Sequence, residues 1–258
     1  MINSNSEKKY NLKKNRYDYF PRNNRELRNL IVNILIERSD REIVDLNNIN
    51  VSRIYDFHSI FSKINKKFDV SEWDVSNGKD FSYIFSWCRN FNCYLNYWDV
   101  SNGEEFAFSF EGCNSFNDTL EDWDVSNSVN FALMFYGCKK FNCDLSKWDV
   151  SKCNNFEHMF SKCYNIKPDV FDLSKWDVSM GKWFNCMFLM CEKFDSDLSR
   201  WDVSNGLEFV SMFEKCINFK ADLSKWNVRN AVRWDDFAKD SFLQFRKERI
   251  PKKFREDS

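Results

Sequence analysis

Histidine, proline and glycine are scarce in this chain, at 2, 3 and 6 of 258 residues. So little glycine leaves few raw materials for phosphate-cradling loops, and neither a P-loop nor a G-x-S-x-G elbow occurs. His58 and His158 lie far apart, and the carboxylates are distributed by repeat phase, so no catalytic constellation is expected and the chain reads as a non-enzyme without a cofactor. Long apolar runs are missing as well. A membrane-spanning helix needs roughly 18 uninterrupted apolar residues, and the nearest stretch, Leu30 to Ile36, is broken by Asn33. Nor is there an excess of charge. Lys+Arg 38 against Asp+Glu 39 gives a net charge of -1, so no global field attracts nucleic acid or an anionic membrane. Lys8, Lys9, Lys13, Lys14, Arg16, Arg22, Arg25 and Arg28 crowd the start of the chain without an apolar h-region or a small-residue cleavage site. The expectation is no secretion signal and an intracellular protein, cytoplasmic, or in host cytoplasm or a virion if the source is viral.

What the chain has in excess is phenylalanine (27), tryptophan (10) and cysteine (10). They are arranged periodically. W-D-V-S starts at Trp73, Trp98, Trp123, Trp148, Trp176 and Trp201, and W-N-V-R at Trp226, in steps of 25, 25, 25, 28, 25 and 25. The longer step carries three extra residues between Ile166 and Asp172, which reads as a surface loop. A weaker copy begins at Ile49, which makes about eight units with degenerate ends.

With each Trp as position 1, apolar residues recur at 1, 3, 9, 12, 13, 16, 19 and 23. In one unit Phe131, Met134, Phe135 and Cys138 are spaced i, i+3, i+4, i+7, which predicts a short helix. Leu120, Trp123 and Val125 read L-x-x-W-x-V, the spacing of a leucine-rich-repeat strand, with Trp and Val inward and Asp124 outward. A single unit cannot bury these faces alone, so stability must come from stacking.

The pattern W-D-V-S, then F, M-F, C, F-N and D-L-S, best seen in Phe141, Asn142, Asp144, Leu145, Ser146, Trp148, Asp149, Val150 and Ser151, resembles the BspA-like leucine-rich repeat family, a domain of unknown function common in bacterial surface lipoproteins. The resemblance covers residues 45 to 240 and implies an adhesion or protein-interaction surface. Similar repeats occur in proteins of large DNA viruses and protozoan parasites. The sequence departs from the family in lacking an export signal and in placing Gly78, Gly103, Gly181 and Gly206 at position 6, where the family has Val.

The expected fold is an α/β repeat: a leucine-rich-repeat-like right-handed solenoid of about eight strand-plus-helix units with a helical N-terminal cap. Residues 1–20 read as a flexible basic arm and 21–44 as the cap, with Leu27, Leu30, Ile31, Ile34 and Leu35 on one stripe from Asn24 to Arg38. Residues 45–240 form the array. Residues 241–258 close it with a helix through about Phe245 and a solvated basic tail of Arg246, Lys247, Arg249, Lys252, Lys253 and Arg255.

Three ladders follow from the phase. The inward one pairs Trp73, Trp98, Trp123, Trp148, Trp176, Trp201 and Trp226 with Cys88, Cys113, Cys138, Cys163, Cys191 and Cys216, read as reduced buried hydrophobes because their spacing matches no C-x-x-C metal signature. Cys93, Cys143, Cys153 and Cys186 show no shared pattern. Asp74, Asp99, Asp124, Asp149, Asp177 and Asp202 point outward, and hydrogen bonds from the adjacent turn, rather than a metal, are expected to hold them. Beside them position 25 varies as Glu72, Tyr97, Asp122, Lys147, Lys175, Arg200 and Lys225, acidic and aromatic first, basic later. Variable side chains on an ordered face are what a partner-reading surface needs. The function expected is a non-catalytic scaffold binding a protein partner along the strand face. The alternatives are a nucleic-acid-associated protein using its two basic tails, and an adhesin exported by a non-standard route.

Overall fold

The computed structural model describes residues 17–255. The expected basic arm falls outside the described residues up to residue 16, as do residues 256–258. The first described segment joins the array through a parallel bridge between Tyr19 and Ile49.

One α-helix, α1 (Asn24–Glu37), follows, capped by the Asn23 side chain, which accepts the Glu26 N–H at 2.9 Å. Leu27, Ile31 and Ile34 are buried against the first coil, with Leu30 and Leu35 packed at the margin. Two short parallel strands, β1 (Ile43–Asp45) and β2 (Lys67–Asp69), pair in register Val44 to Phe68. Among the described residues these are the only α-helix and the only named strands. The expected right-handed solenoid of eight strand-plus-helix units is therefore overturned. The chain instead builds coils, mostly of 25 residues, from consecutive turns laid in parallel one upon another.

The physical reason lies at positions 9 to 16. In the Trp123 coil the N–H groups of Met134, Tyr136 and Cys138 donate to the carbonyls of Phe131, Leu133 and Phe135 in the same coil, at 3.0–3.1 Å. The alternate groups, on Phe131, Leu133, Phe135 and Gly137, donate instead to Asn155, Glu157, Met159 and Ser161 of the next coil, at 2.8–2.9 Å. Alternate peptide planes are thus turned along the stack, which requires left-handed backbone at positions 11 and 15. Leu133 (φ 53°) and Gly137 (φ 71°) supply it here, and the pair recurs from Ser59 and Lys63 to Asp236 and Asp240. A left-handed residue other than glycine costs about 1–2 kcal/mol, and the hydrogen bonds between coils offset that cost. Two successive i, i+3 turns place residues 9, 12, 13 and 16 inward. That is the spacing of one helical face, which is why the sequence reads as a helix.

Strain of this kind predicts the sign of a substitution. Lys63→Gly (φ 66°, exposed side chain) should raise stability by about 0.5–1 kcal/mol in urea unfolding, because glycine adopts this φ freely. In a helix the same change would lower stability by about 1 kcal/mol.

A parallel bridge at position 8 runs the length of the array, from Asp56–Asp80 to Glu208–Arg233. Trp, Val, Phe, Met and Cys of successive coils form one buried core, with Trp73 on Trp98 (6.3 Å, 2°) and Trp123 on Trp148 (6.4 Å, 3°). The position-6 glycines make room for that core. A Cβ on Gly103 would stand 2.5 Å from Cζ of Phe106, and where Ser128 or Cys153 replaces glycine, Phe131 and Phe156 tilt by 36° and 40° from the preceding ring. The three extra residues of the long coil bulge outward around Pro168, and Phe171 returns to the core against Phe160.

Such a stack is polar: carbonyls face its N-terminal end and N–H groups its C-terminal end. Asn24 donates from α1 to the carbonyls of Asp56 (3.2 Å) and His58 (2.8 Å), and Arg28 donates to that of Ser59. At the far end the Asp240 N–H finds the Gln244 side-chain oxygen at 2.8 Å. The expected closing helix is instead three 3-10 turns, Phe242–Phe245, Lys247–Arg249 and Lys252–Phe254. The tail is folded through Arg255, with Arg246, Lys247, Lys252 and Lys253 exposed on it. Phe254 is buried against Phe209, Trp234 and Phe237, Lys253 donates to the carbonyls of Arg229 and Ala231, and Arg249 to that of Lys220.

Candidate interaction surface

The face carrying position 25 is flanked by two turns per coil, most of them D-x-S; Tyr94–Asn96, Thr119–Glu121 and Asn227–Arg229 depart from that pattern. In the first, the Ser126, Ser151, Ser179 and Ser204 N–H groups donate to Asp124, Asp149, Asp177 and Asp202 at 2.9–3.0 Å, and Asp74 and Asp99 hold Ser76 and Ser101 in the same way. In the second, Asp69, Asp144, Asp172, Asp197 and Asp222 hold Ser71, Ser146, Ser174, Ser199 and Ser224. Hydrogen bonds from Ser151 and Ser204 keep the Asp149 and Asp202 carboxyls below the usual range. Among the described residues no group of three or more His, Cys, Asp and Glu is placed to hold a metal ion.

Between the two turns stand Glu72, Tyr97, Asp122, Lys147, Lys175, Arg200 and Lys225, all exposed. Lys147 lies 3.9 Å from both Glu121 and Asp122, and Tyr97 meets Tyr94 edge to face at 5.0 Å. Sequence reasoning placed them on a strand. They sit at the corner of a turn, yet their succession along the array is the one the phase implies.

Behind this face the Trp ladder is also a hydrogen-bond ladder. Each indole N–H from Trp73 to Trp226 donates to a position-23 carbonyl 27, 28 or 31 residues back, the one stacked beneath the position-23 residue that precedes it, such as Trp148 to Leu120 at 2.9 Å. The six position-16 thiols donate likewise to the preceding position-13 carbonyl, at 2.9–3.0 Å. All ten cysteines are free. Burial pushes Cys88 up to about 12 and Cys113, Cys138 and Cys191 well above the ordinary thiol value. At pH 8 these thiols are protonated, and the six should resist iodoacetamide in the native protein, whereas the half-exposed Cys186 should react first, as mass spectrometry of partly alkylated protein would show.

The phase also hides a role that the sequence reading missed. Cys93, Cys143 and Ser196 share position 21, and each accepts the N–H of position 23 of the preceding coil, from Val70, Leu120 and Leu173. Its signal was the common phase of two cysteines with a serine.

A second outward face escaped the sequence reading. Positions 11 and 14 carry Tyr83, Phe108, Leu133, Tyr136 and His158, half-buried, with Tyr83 and Phe108 stacked at 4.3 Å. At its N-terminal end His58 Nδ1 lies 2.8 Å from Ser82 Oγ and 4.0 Å from Asp80, and the Ser82 hydroxyl donates to Asp80. Those are the residue types of a hydrolytic triad in another order. The serine proton goes directly to the carboxylate and the imidazole presents one nitrogen to both partners, so no base is left to activate the hydroxyl. Burial lowers the His158 pKa, and its Nδ1 has no partner among the described residues.

Among the described residues no helix is long and apolar enough to cross a membrane. A family model described as "Mycoplasma protein of unknown function, DUF285" matches residues 35–118, 55–172 and 170–247. No curated protein and no solved structure matches the chain.

Proposed function

We propose that this chain, which belongs to the DUF285 family of Mycoplasma proteins of unknown function, is a non-catalytic scaffold that binds a protein partner along the face bearing position 25. One observation carries the reading: seven exposed side chains of differing chemistry, one per coil, recur at one corner of the stack, four of them (Glu72, Lys147, Lys175 and Arg200) between two D-x-S turns. A backbone fixed in this way presents side chains without a large ordering cost on binding. Support for the non-catalytic half comes from the order of His58, Ser82 and Asp80. The alternative that uses two basic tails loses support at the C-terminal end, where Arg249, Lys253 and Arg255 donate to backbone carbonyls.

The test is affinity capture from native lysate with the full chain, with a variant lacking residues 1–16, and with Lys147, Lys175, Arg200 and Lys225 all changed to Glu. The proteins captured by the full chain should persist without residues 1–16 and fall at least tenfold with the fourfold reversal. Capture that is indifferent to the reversal, or that vanishes with residues 1–16, contradicts the reading.

A further inference from the structure

A different corner of the coil, from position 15 to position 20, changes character along the array. In the first two Trp coils positions 18 and 20 carry Asn90, Asn92, Ser115 and Asn117. In the next three, positions 15 to 20 bring Lys139, Lys140, Lys162, Lys167 and Lys193 onto neighbouring coils, which are about 4.8 Å apart if their spacing follows parallel backbone pairing. Among the described residues none of these five forms an ion pair. Some cations elsewhere on the array meet a carboxylate, as in Lys79–Glu104, Lys147–Glu121, Lys220–Asp195 and Arg233–Glu208, and others, such as Lys152 on the Asn127 oxygen, do not. Here the Lys162 ammonium meets the Tyr136 hydroxyl at 2.6 Å and that of Lys193 the Asn165 oxygen at 3.3 Å. Glu192 and Asp169 are acidic residues close to them in the chain, and Asp195 is already taken by Lys220. The backbone of the corner is tied from coil to coil. Asn142 and Lys167 donate their N–H groups to Asn117 and Asn142 side chains, and the Asn165 amide donates to the Lys140 carbonyl.

We infer that this corner binds the backbone of single-stranded nucleic acid, with phosphates on Lys139, Lys140 and Lys167 and bases against Tyr136 and Tyr164. The cluster is all lysine. Lysine serves phosphate as a point charge, which suits contacts to a backbone without base readout. Tyr136 and Tyr164 are half-buried among the lysines, and an aromatic face offers stacking to an unpaired base that a duplex does not present. This inference is independent of the position-25 face and of residues 1–16.

The test is fluorescence anisotropy of a labelled 16-nucleotide oligothymidylate with the full chain. Lys139→Glu, Lys140→Glu and Lys167→Glu together should weaken binding at least tenfold and reduce the log–log salt slope by about 2, at about 0.7 for each phosphate no longer neutralised. A control with the same charge change elsewhere, Arg25→Glu, Arg53→Glu and Lys252→Glu, should stay within about twofold, and Tyr164→Leu should cost about fivefold or more. The side chains changed are exposed or half-exposed, and far-UV circular dichroism checks that each variant folds. Equal loss in both triple variants would reduce the effect to net charge and overturn the inference. So would an absence of binding by the unaltered chain, equal affinity for duplex of the same length, or polyglutamate outcompeting the oligonucleotide at the same lysines.

Discussion

Deleting residues 123–147 should leave a cooperatively folded protein one coil shorter, whereas deleting residues 123–135 should abolish cooperative unfolding. The in-phase deletion joins Asp122 to Trp148, so that the Trp148 indole N–H faces the Leu95 carbonyl in place of that of Trp123, and the Phe106 N–H meets Asn155 where it met Asn130. All ladders close again. In a stacked array stability is approximately a sum of unit and interface contributions, so losing one coil lowers it by one share. The out-of-phase deletion leaves the coils on either side of the junction without matching partners for their Trp, Phe and Cys ladders and for their backbone bonds. Because a buried unpaired backbone group costs about 1–3 kcal/mol, several together exceed the 5–15 kcal/mol stability of a typical domain. Urea unfolding followed by tryptophan fluorescence distinguishes the two outcomes.

Trp148→Ala should cost about 3–5 kcal/mol, among the largest effects of any single substitution here. The indole packs on three rings of the Trp123 coil, Trp123 at 6.4 Å, Phe131 at 5.7 Å and Phe135 at 6.3 Å, and neighbouring side chains tied to rigid turns cannot collapse into the cavity. Removing it also takes away one of the two donors to the Leu120 carbonyl, which keeps the Trp123 N–H at 3.1 Å. Trp148→Phe should cost less, about 1–3 kcal/mol, since it keeps one aromatic ring and loses the N–H with the rest of the indole. Equilibrium urea denaturation checks both, and a loss below about 1 kcal/mol for the alanine variant would show that the ring is not enclosed.

The period, the inward set and the cap were legible because burial follows phase. Trp123, Val125, Phe131, Met134, Phe135, Cys138, Phe141 and Leu145 are all buried, and α1 lies within a residue of its expected span. The backbone between them was not legible. Leu133 and His158 are left-handed because the carbonyls of the next coil draw their N–H groups along the stack, and nothing in a leucine or histidine announces it. With only 6 glycines in the chain, the usual marker of such turns is missing at most of these positions. Contacts between adjacent coils, such as His58 with Ser82, join residues 24 apart and surface only when the coils are laid in register. The lysine corner has a signal in the same phase, down positions 17, 18 and 20, as the variable face has down position 25.

The direct test is a measurement of through-hydrogen-bond scalar couplings in a deuterated, nitrogen-15 and carbon-13 labelled sample. The stack of turns predicts a coupling from the Phe135 amide nitrogen to the Met159 carbonyl carbon, with Phe131 coupled to Asn155 in the same way. A coupling from Phe135 to the carbonyl of Phe131, four residues back in the same unit, would mean that helices occupy positions 9 to 16 and would contradict the account.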